Sequence, residues 1–421
     1  MQTSQNKLVQ KLLQVNQHKK IKLGLFRSKK ALSLINWENR IKTKTITING
    51  TSAKFSIIHI LKNILIFNKN SFSATYSPHI KNITERIEVN SKFIKLGTLK
   101  KILEKICRLP VNLTEFEKLC LAFAEHIKNR KTDYTLAEFG LFGRLDAIRA
   151  LFPNPEIHII SPIFYDHLRW TKTKKRNLKT LKEIVYEKTS FLAAGRIYIA
   201  KQSLKSLKLI KHYLRKNTAK CFYYGKDFKI KKEKEKYFYK DDNLNFQIQS
   251  ELIGDFNYEN MALAIKVALD ERVPLKTIKK SLKKIFLPGR MQIVKSGKII
   301  RGLPKSIKVI VDGAHNDLSS SKVCGSLEKI RNRELYAIIA MIKSKDPHSF
   351  LKYFKKFKKI YFIDMKQNNA YSKENLNKIA KKIGLNSETA SNCYAAVKKI
   401  KYNKKALILI TGSFYFLGNI I

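Results

Sequence analysis

The stretch Thr45-Ile46-Thr47-Ile48-Asn49-Gly50-Thr51-Ser52-Ala53-Lys54-Phe55-Ser56 decides the fold. Its first four residues are β-branched and read as a buried strand. Ile57, Ile58, Ile60 and Leu61 then fall on one face of a helix. A strand that feeds a helix through a short Gly, Thr, Ser, Lys turn points several backbone N–H groups at one spot. The positive end of the helix dipole points there too, and Lys54 adds a full charge. The natural occupant is a phosphate. Ala53 precedes the lysine where such loops usually carry glycine. Taken alone, the stretch divides between a nucleotide site and an ordinary strand–turn–helix.

The chain has 421 residues, more than one hydrophobic core usually holds, so two domains are expected. An apolar fraction of 44% excludes general disorder. The five cysteines are scattered, which argues against a disulfide framework or a zinc knuckle and fits a reducing cytoplasm. The net charge of +53 admits a nucleic acid or an anionic membrane as partner. Compositional drift toward Lys, Ile, Asn, Phe and Tyr explains it as well. The lysines run through the whole chain, and no aromatic-basic recognition motif accompanies them. The expectation is therefore no specific nucleic-acid partner, only weak salt-sensitive adhesion.

Met1 to Lys22 is polar, with a helical apolar stripe (Leu8, Leu12, Val15) and no signal-peptide core. Ala406 to Ile421 carries no charge over sixteen residues, which is short for a membrane span. It reads as a buried last strand turning into a helix, and no membrane partner is expected. Lys226 to Lys240 alternates charge with aromatics and reads as an exposed β-ribbon, with a docking surface as the lesser alternative.

Pro78 ends regular structure and leaves Ser77 and His79 on a loop. Glu115 to Ile127 has helical periodicity. Asp133 to Gly140 reads as a strand ending in Glu138, and Ile157 to Ile163 as a second strand followed by Asp166-His167. Polar groups at the ends of successive parallel strands converge at one sheet edge, where α/β folds place their ligands. From about Pro288 the pattern becomes a regular βα alternation, with strands at Lys308–Asp312, Leu335–Met341, Lys359–Asp364 and Ala406–Thr411. Pro288 and Gly289 interrupt an otherwise helical stretch. The expected domains are residues 1–286 and 287–421.

Taken in order, these stretches resemble the folylpolyglutamate synthase/dihydrofolate synthase family of the Mur ligase superfamily. The family's G-T-N-G-K-G-S loop stands here as Gly50-Thr51-Ser52-Ala53-Lys54-Phe55-Ser56. Its T-S-P-H-L and E-R-I stand as Tyr76-Ser77-Pro78-His79-Ile80 and Glu85-Arg86-Ile87. Its E-V-G-L-G-G-R-L-D-A-T-N runs from Glu138 through Gly140, Phe142, Gly143 and Asp146 to Arg149. D-H is Asp166-His167, E-K is Glu187-Lys188, N-A lies in Asn260-Met261-Ala262 and G-R is Gly289-Arg290. D-G-A-H-N is intact as Asp312-Gly313-Ala314-His315-Asn316, and T-G-S as Thr411-Gly412-Ser413.

The resemblance implies an α/β fold: a P-loop-type ATPase domain with a mostly parallel sheet and a smaller Rossmann-like α/β C-terminal domain. It implies an ATP-dependent amide ligase of folate biosynthesis and one-carbon metabolism, monomeric and cytoplasmic, with ATP and Mg2+. ATP would phosphorylate the carboxylate of dihydropteroate or of a folate glutamyl tail, and the amine of L-glutamate would attack the acyl phosphate. Lys54, Glu138, His167 and Lys188 form the catalytic set it implies. Gly50, Thr51, Ser52, Ala53, Lys54 and Ser56 would hold phosphate, Asn260 would approach the adenine, and Arg290, Asp312 and His315 would close over ATP from the second domain. Ser77, Glu138, His167 and Lys188 would bind the metal, the lysine as a carbamate. Read singly, Ser77 suits a turn cap, Glu138 a lysine partner and His167 a core histidine.

The chain departs from the family at Ala53, Phe55, Phe142 and Arg149, and the Lys172–Lys182 segment is long. Phe55 is expected to put a large ring beside the phosphates. Ala53 is expected to cost about 1–2 kcal/mol if its position needs positive φ. Two readings follow: an active ligase in a drifting sequence, or a degraded member that binds nucleotide or folate without turnover. A Mur-type cell-wall ligase is the runner-up within the superfamily.

Overall fold

The computed structural model describes residues 2–14, 24–37, 43–165, 180–215, 217–330, 332–367, 369–400, 405–418 and 420. The chain forms two compact units. One comprises Met1–Ser250 and Glu259–Lys284; the other comprises Glu251–Tyr258 and Ile285–Ile421.

The first unit is built on an eight-stranded sheet. Its strands are β1 (Lys44–Asn49), β2 (Phe72–Thr75), β3 (Ile87–Val89), β4 (Lys92–Phe93), β5 (Tyr134–Glu138), β6 (Ile157–Ile160), β7 (Arg196–Ile199) and β8 (Lys220–Tyr223). The order across the sheet is β4-β3-β2-β5-β1-β6-β7-β8. β2, β5, β1, β6, β7 and β8 run parallel, while β3 and β4 form an antiparallel edge. Parallel strands buried on both faces read as continuous apolar runs, which is why β5 and β6 are buried throughout. β1 lies between β5 and β6, and the chain builds outward from it in both directions. The carboxyl end of β1 is thus the switch point where such sheets hold ligands.

The helix Glu115–Ile127 has the bounds that its periodicity predicts. Thr114 and Glu117 form a capping box, each side chain accepting the other's backbone N–H. The N-terminal stripe does form a helix, Gln2–Gln14, but its buried side chains are Val9 and Leu13. The expected Leu8 and Leu12 are shifted to the flank, because packing selects the face that meets the helix Leu96–Cys107.

At the amino ends of β1, β5 and β7 a single carboxylate gathers three side chains. Glu271 accepts from Lys44 Nζ at 2.7 Å, from the Tyr134 hydroxyl at 3.0 Å and from Arg196. Asp270 beside it accepts from the Tyr198 hydroxyl at 2.8 Å.

β9 (Phe228–Glu233), β10 (Lys236–Asp241) and β11 (Asn245–Ile248) form an antiparallel meander, the ribbon that the alternation predicts. Phe228, Tyr239 and Phe246 are buried on one face. Lys229, Lys231 and Lys240 stand exposed on the other.

The second unit holds β12 (Gln292–Ile293), β13 (Ile307–Val311), β14 (Glu334–Ile339), β15 (Lys359–Phe362), β16 (Ser387–Thr389) and β17 (Ala406–Thr411). Their order is β12-β13-β17-β14-β15-β16, parallel except for β12. The uncharged C-terminal run is the central strand β17, followed by the short helix Phe414–Leu417. Leu407 and Leu409 pack into one core, and Ala406, Ile408 and Ile410 into the core on the opposite face. A strand covered on both sides has no polar face to show. Among the described residues no helix is long and apolar enough to cross a membrane.

Candidate active site

β1 delivers Gly50 to the sheet edge with φ +143°, where a Cβ would overlap the Ser161 hydroxyl. Only glycine fits there. The Thr51 and Ser52 amides donate to the Pro162 carbonyl at 2.9 and 3.3 Å. The expected cradle of amides therefore starts further along the loop. Thr51 and Ser52 instead fasten it to the end of β6. Ala53 caps the helix Lys54–Phe67 without a side-chain acceptor, so the first-turn amides point toward the loop's mouth.

Ala53 adopts φ +66°, ψ −3°, the left-handed region that glycine enters without steric cost. Phe142, also in place of a family glycine, has φ +60°. The two substitutions carry the same backbone strain, yet reverting them should have opposite results. Ala53→Gly should raise stability by about 0.5–1 kcal/mol, strain relief outweighing the added freedom of the unfolded chain. Phe142→Gly should lower it by about 2 kcal/mol or more, because the ring is 2% exposed and its loss leaves a cavity. Urea unfolding of both variants measures the two signs.

Phe55 does not stand beside the phosphates. Its side chain is buried, stacked on His59 at 3.8 Å between ring centroids and edge-on to Tyr76 at 5.6 Å. The helix turns position 55 inward, so the large ring fills core rather than site. Tyr76 in turn donates its hydroxyl to Glu88 at 2.5 Å, and burial with the Glu88 charge pushes its phenol well above the ordinary value.

Lys54 and Glu138 face each other at 3.5 Å with side chains 14% and 3% exposed. Glu138, the last residue of β5, also accepts the Ser77 amide at 3.1 Å. Strands β1 and β5 and the loop after β2 thus bring Lys54, Glu138 and Ser77 together. Lys188 joins them from the helix Leu181–Thr189, its Nζ donating to the Gly50 carbonyl at 2.7 Å. His79 lies on the same loop as Ser77. It accepts from Arg86 at 3.1 Å, and burial with that guanidinium lowers it to about 4, so it is a neutral acceptor at pH 7. His167, with Asp166, lies outside the described residues. Asn260 is buried on the helix Asp255–Asp270.

A hard divalent ion such as magnesium binds through one or two carboxylates plus water and phosphate oxygens. A carboxylate and a hydroxyl, Glu138 and Ser77, fit that chemistry. The described residues hold no group of three His, Cys, Asp or Glu side chains able to bind a metal alone.

Two residues here escaped the sequence reading of roles. Asn49 bridges the Gly50 amide and the Lys188 carbonyl at 2.7 and 3.0 Å. The signal was its place as a polar residue ending a buried strand. Asp146 lies within a quoted motif and accepts the Leu141 and Ile148 amides, both at 2.9 Å. Burial raises its carboxyl to about 6, against the pull of those amides and of the Lys54 and Lys188 charges. Between about pH 4 and pH 6 the folded protein keeps a proton there that the unfolded chain releases. Stability from this group is therefore full below pH 4 and lost as pH rises through 6, by about 3 kcal/mol. Asp146→Asn should remove that slope when unfolding free energy is measured from pH 4 to 6.5.

In the second unit three motifs interlock at the carboxyl ends of β13 and β17. Asp312 accepts the Met291 and Ala314 amides at 2.8 and 2.7 Å, and burial raises its carboxyl while the Arg290 charge opposes the rise. His315 Nδ1 donates to the Gly313 carbonyl at 2.8 Å. Arg290 lies over the Phe414 ring at 4.1 Å. The Gly412 amide and the Thr411 hydroxyl both donate to the Ala314 carbonyl, at 3.0 and 3.2 Å. Asp312 thus sets the loop geometry with both carboxylate oxygens on backbone.

Residues 48–268 match the Mur ligase middle domain, and residues 289–414 match the Mur ligase glutamate ligase domain. The dihydrofolate synthase/folylpolyglutamate synthase of Buchnera aphidicola subsp. Schizaphis graminum is 26% identical over 94% of this chain and 92% of its own length. That of Bacillus subtilis is 24% identical over 95% and 94%. The fold matches E. coli FolC in complex with DHPP and ADP, with TM-score 0.84, 21% identity and 98% and 96% of the two chains covered. It also matches the bifunctional Yersinia pestis enzyme complexed with AMPPNP and Mn, with TM-score 0.82, 19% identity and 98% and 97% covered. With both domain models matched in order and the motif series in place, the chain belongs to the folylpolyglutamate synthase/dihydrofolate synthase family of the Mur ligase superfamily.

Proposed function

We propose that this protein is an ATP-dependent amide ligase that joins L-glutamate to dihydropteroate, to the glutamyl tail of a folate, or to both. The observation that carries the reading is the Lys54–Glu138–Ser77 constellation at the carboxyl end of β1, within a chain that matches both Mur ligase domains.

A carboxylate is a poor electrophile, so the acceptor must be activated before an amine can attack it. Transfer of the ATP γ-phosphoryl group between two anions needs positioning and charge neutralisation more than covalent help. Lys54 supplies a cation at the head of the helix Lys54–Phe67, where the dipole also favours phosphate. Its partner in the structure is Glu138. Lys54 would pair with a phosphate and Glu138 with a divalent cation, so each residue would keep an oppositely charged partner. Glu138 and Ser77 would hold a divalent cation, which would supply further neutralisation of negative charge at the site. The amine of glutamate then attacks the acyl phosphate carbon, and phosphate leaves with the bond's electron pair. In the second unit Arg290 and His315 are assigned to ATP, with Asp312 fixing the loop that carries His315. In the first, Asn260 is assigned to the adenine and His167 to the metal.

The scattered spacing of the five cysteines supports a reducing cytoplasmic setting, and the protein is assigned as a monomer. Phosphate release with Mg-ATP, L-glutamate and either dihydropteroate or tetrahydrofolate tests the activity. Release that needs both glutamate and one pteridine names the acceptor. No release from folded protein would sink the ligase and leave a nucleotide-binding relic.

A further inference from the structure

Two of this chain's departures from the resembled motifs, far apart in sequence, meet in the fold. Phe55 stands where the phosphate-loop motif has glycine, and Tyr76 stands where the serine-proline-histidine motif opens with threonine. At both positions a ring replaces a small residue, and the rings are 5% and 3% exposed. They meet edge-on with centroids 5.6 Å apart. His59, one turn beyond Phe55, stacks on it at 3.8 Å and meets Tyr76 edge-on at 4.9 Å. Its Nδ1 donates to the Phe55 carbonyl at 2.9 Å, which holds the imidazole in place. The three rings form one closed cluster, in the arrangements that aromatic charge distribution favours.

The cluster is tied down on its far side as well. The Tyr76 hydroxyl donates to Glu88 on β3 at 2.5 Å, and Lys62 Nζ donates to both oxygens of that carboxylate at 2.9 and 3.2 Å. Lys62 belongs to the helix Lys54–Phe67, so this helix grips the β2–β3 segment twice, once through rings and once through charge. The two segments joined in this way carry the site. Lys54 immediately precedes Phe55, and Ser77 immediately follows Tyr76. Glu138 takes a partner from each, Lys54 at 3.5 Å and the Ser77 amide at 3.1 Å. A shift of either ring is thus passed to a group that touches Glu138.

We propose that Phe55 and Tyr76 are a coupled pair of positioning residues: their rings, with His59, lock the loop bearing Ser77 to the helix bearing Lys54. Where the resembled motifs have two small residues, this chain has two matched rings, each packed against the other. The catalytic arm of the test rests on the ligase reading; the hydrogen-exchange arm does not.

Phe55→Leu, Tyr76→Leu and the double variant are compared with the wild type by amide hydrogen exchange in NMR. Each single variant should speed exchange at Ser77 about threefold to tenfold more than at the β1 amides, the scale of one lost ring pair. The double variant should be no faster than the faster single, because a pair is broken only once. Ile64→Val, buried further along the same helix, should change Ser77 and β1 alike. Exchange at Ser77 that only keeps step with β1 in the single variants marks ordinary core packing and overturns the proposal. An additive double variant overturns it too. Phe55→Met, an apolar replacement on a flexible chain, carries the test if the leucine variants fail to fold. In glutamate-dependent phosphate release the folded single variants should lose kcat by a similar factor while KM for ATP stays within about twofold. Tyr76→Phe keeps the ring and should keep both constants. Unchanged kcat in variants with faster Ser77 exchange overturns the positioning role. No release by the wild type would instead overturn the ligase reading, and exchange at Ser77 still decides the coupling.

Discussion

Lys54→Met should reduce glutamate-dependent phosphate release about a thousandfold, the scale on which one preorganised charge at a transferring group acts. The loss should fall mainly on kcat, because the lysine's attraction grows as negative charge shifts onto the β/γ-bridge in the transition state. The substitution also leaves Glu138, 3% exposed, without its 3.5 Å partner, so stability must be measured alongside. Lys54→Arg separates charge from shape: it keeps the cation but presents a planar fork to a loop built for a compact ammonium. Release within threefold of wild type in the folded Met variant would remove Lys54 from the machinery.

Glu271→Ala should destabilise the protein by about 3–5 kcal/mol without changing activity per folded molecule. Its side chain is 3% exposed and receives Lys44, Tyr134 and Arg196, so truncation strands a half-buried guanidinium and a lysine against each other. The site it serves is at the amino ends of the strands, away from the phosphate loop at their carboxyl ends. An exposed pair gives the contrast. Lys231 and Glu233 are 64% and 50% exposed, and Glu233→Ala should shift the urea midpoint by nothing measurable. A midpoint for Glu271→Ala as small as that of Glu233→Ala would show that the three contacts add little beyond solvation.

The sequence announced those parts of the fold where one requirement dominates. β1, its loop and the helix after it combine β-branching, a glycine and helical periodicity, and each points the same way. β17 was readable because sixteen uncharged residues, too short to span a membrane, can only be hidden in a core. Side-chain direction was less accessible. Phe55 has the same neighbours in sequence whether it faces the phosphates or the core, and only the start of the helix, set by Ala53, decides between them. The N-terminal stripe slipped by one residue for a similar reason, since adjacent faces of a helix with Leu8, Val9, Leu12 and Leu13 are both apolar. Within the site, the motif residues Lys54, Glu138, Ser77 and Lys188 are brought together. Asn49 and Asp146 went unassigned because their work is done on backbone groups, which no residue spacing reveals.

The left-handed Ala53 has a consequence for laboratory selection. A position that is strained in the parent and relaxed by a one-base codon change, alanine to glycine, is a ready second-site suppressor. Libraries built on a weakened parent such as Glu271→Ala and selected for recovered folding should return Ala53→Gly repeatedly, although the two residues share no contact. Phe142→Gly relaxes the same kind of backbone but empties the core, and should never be among the survivors.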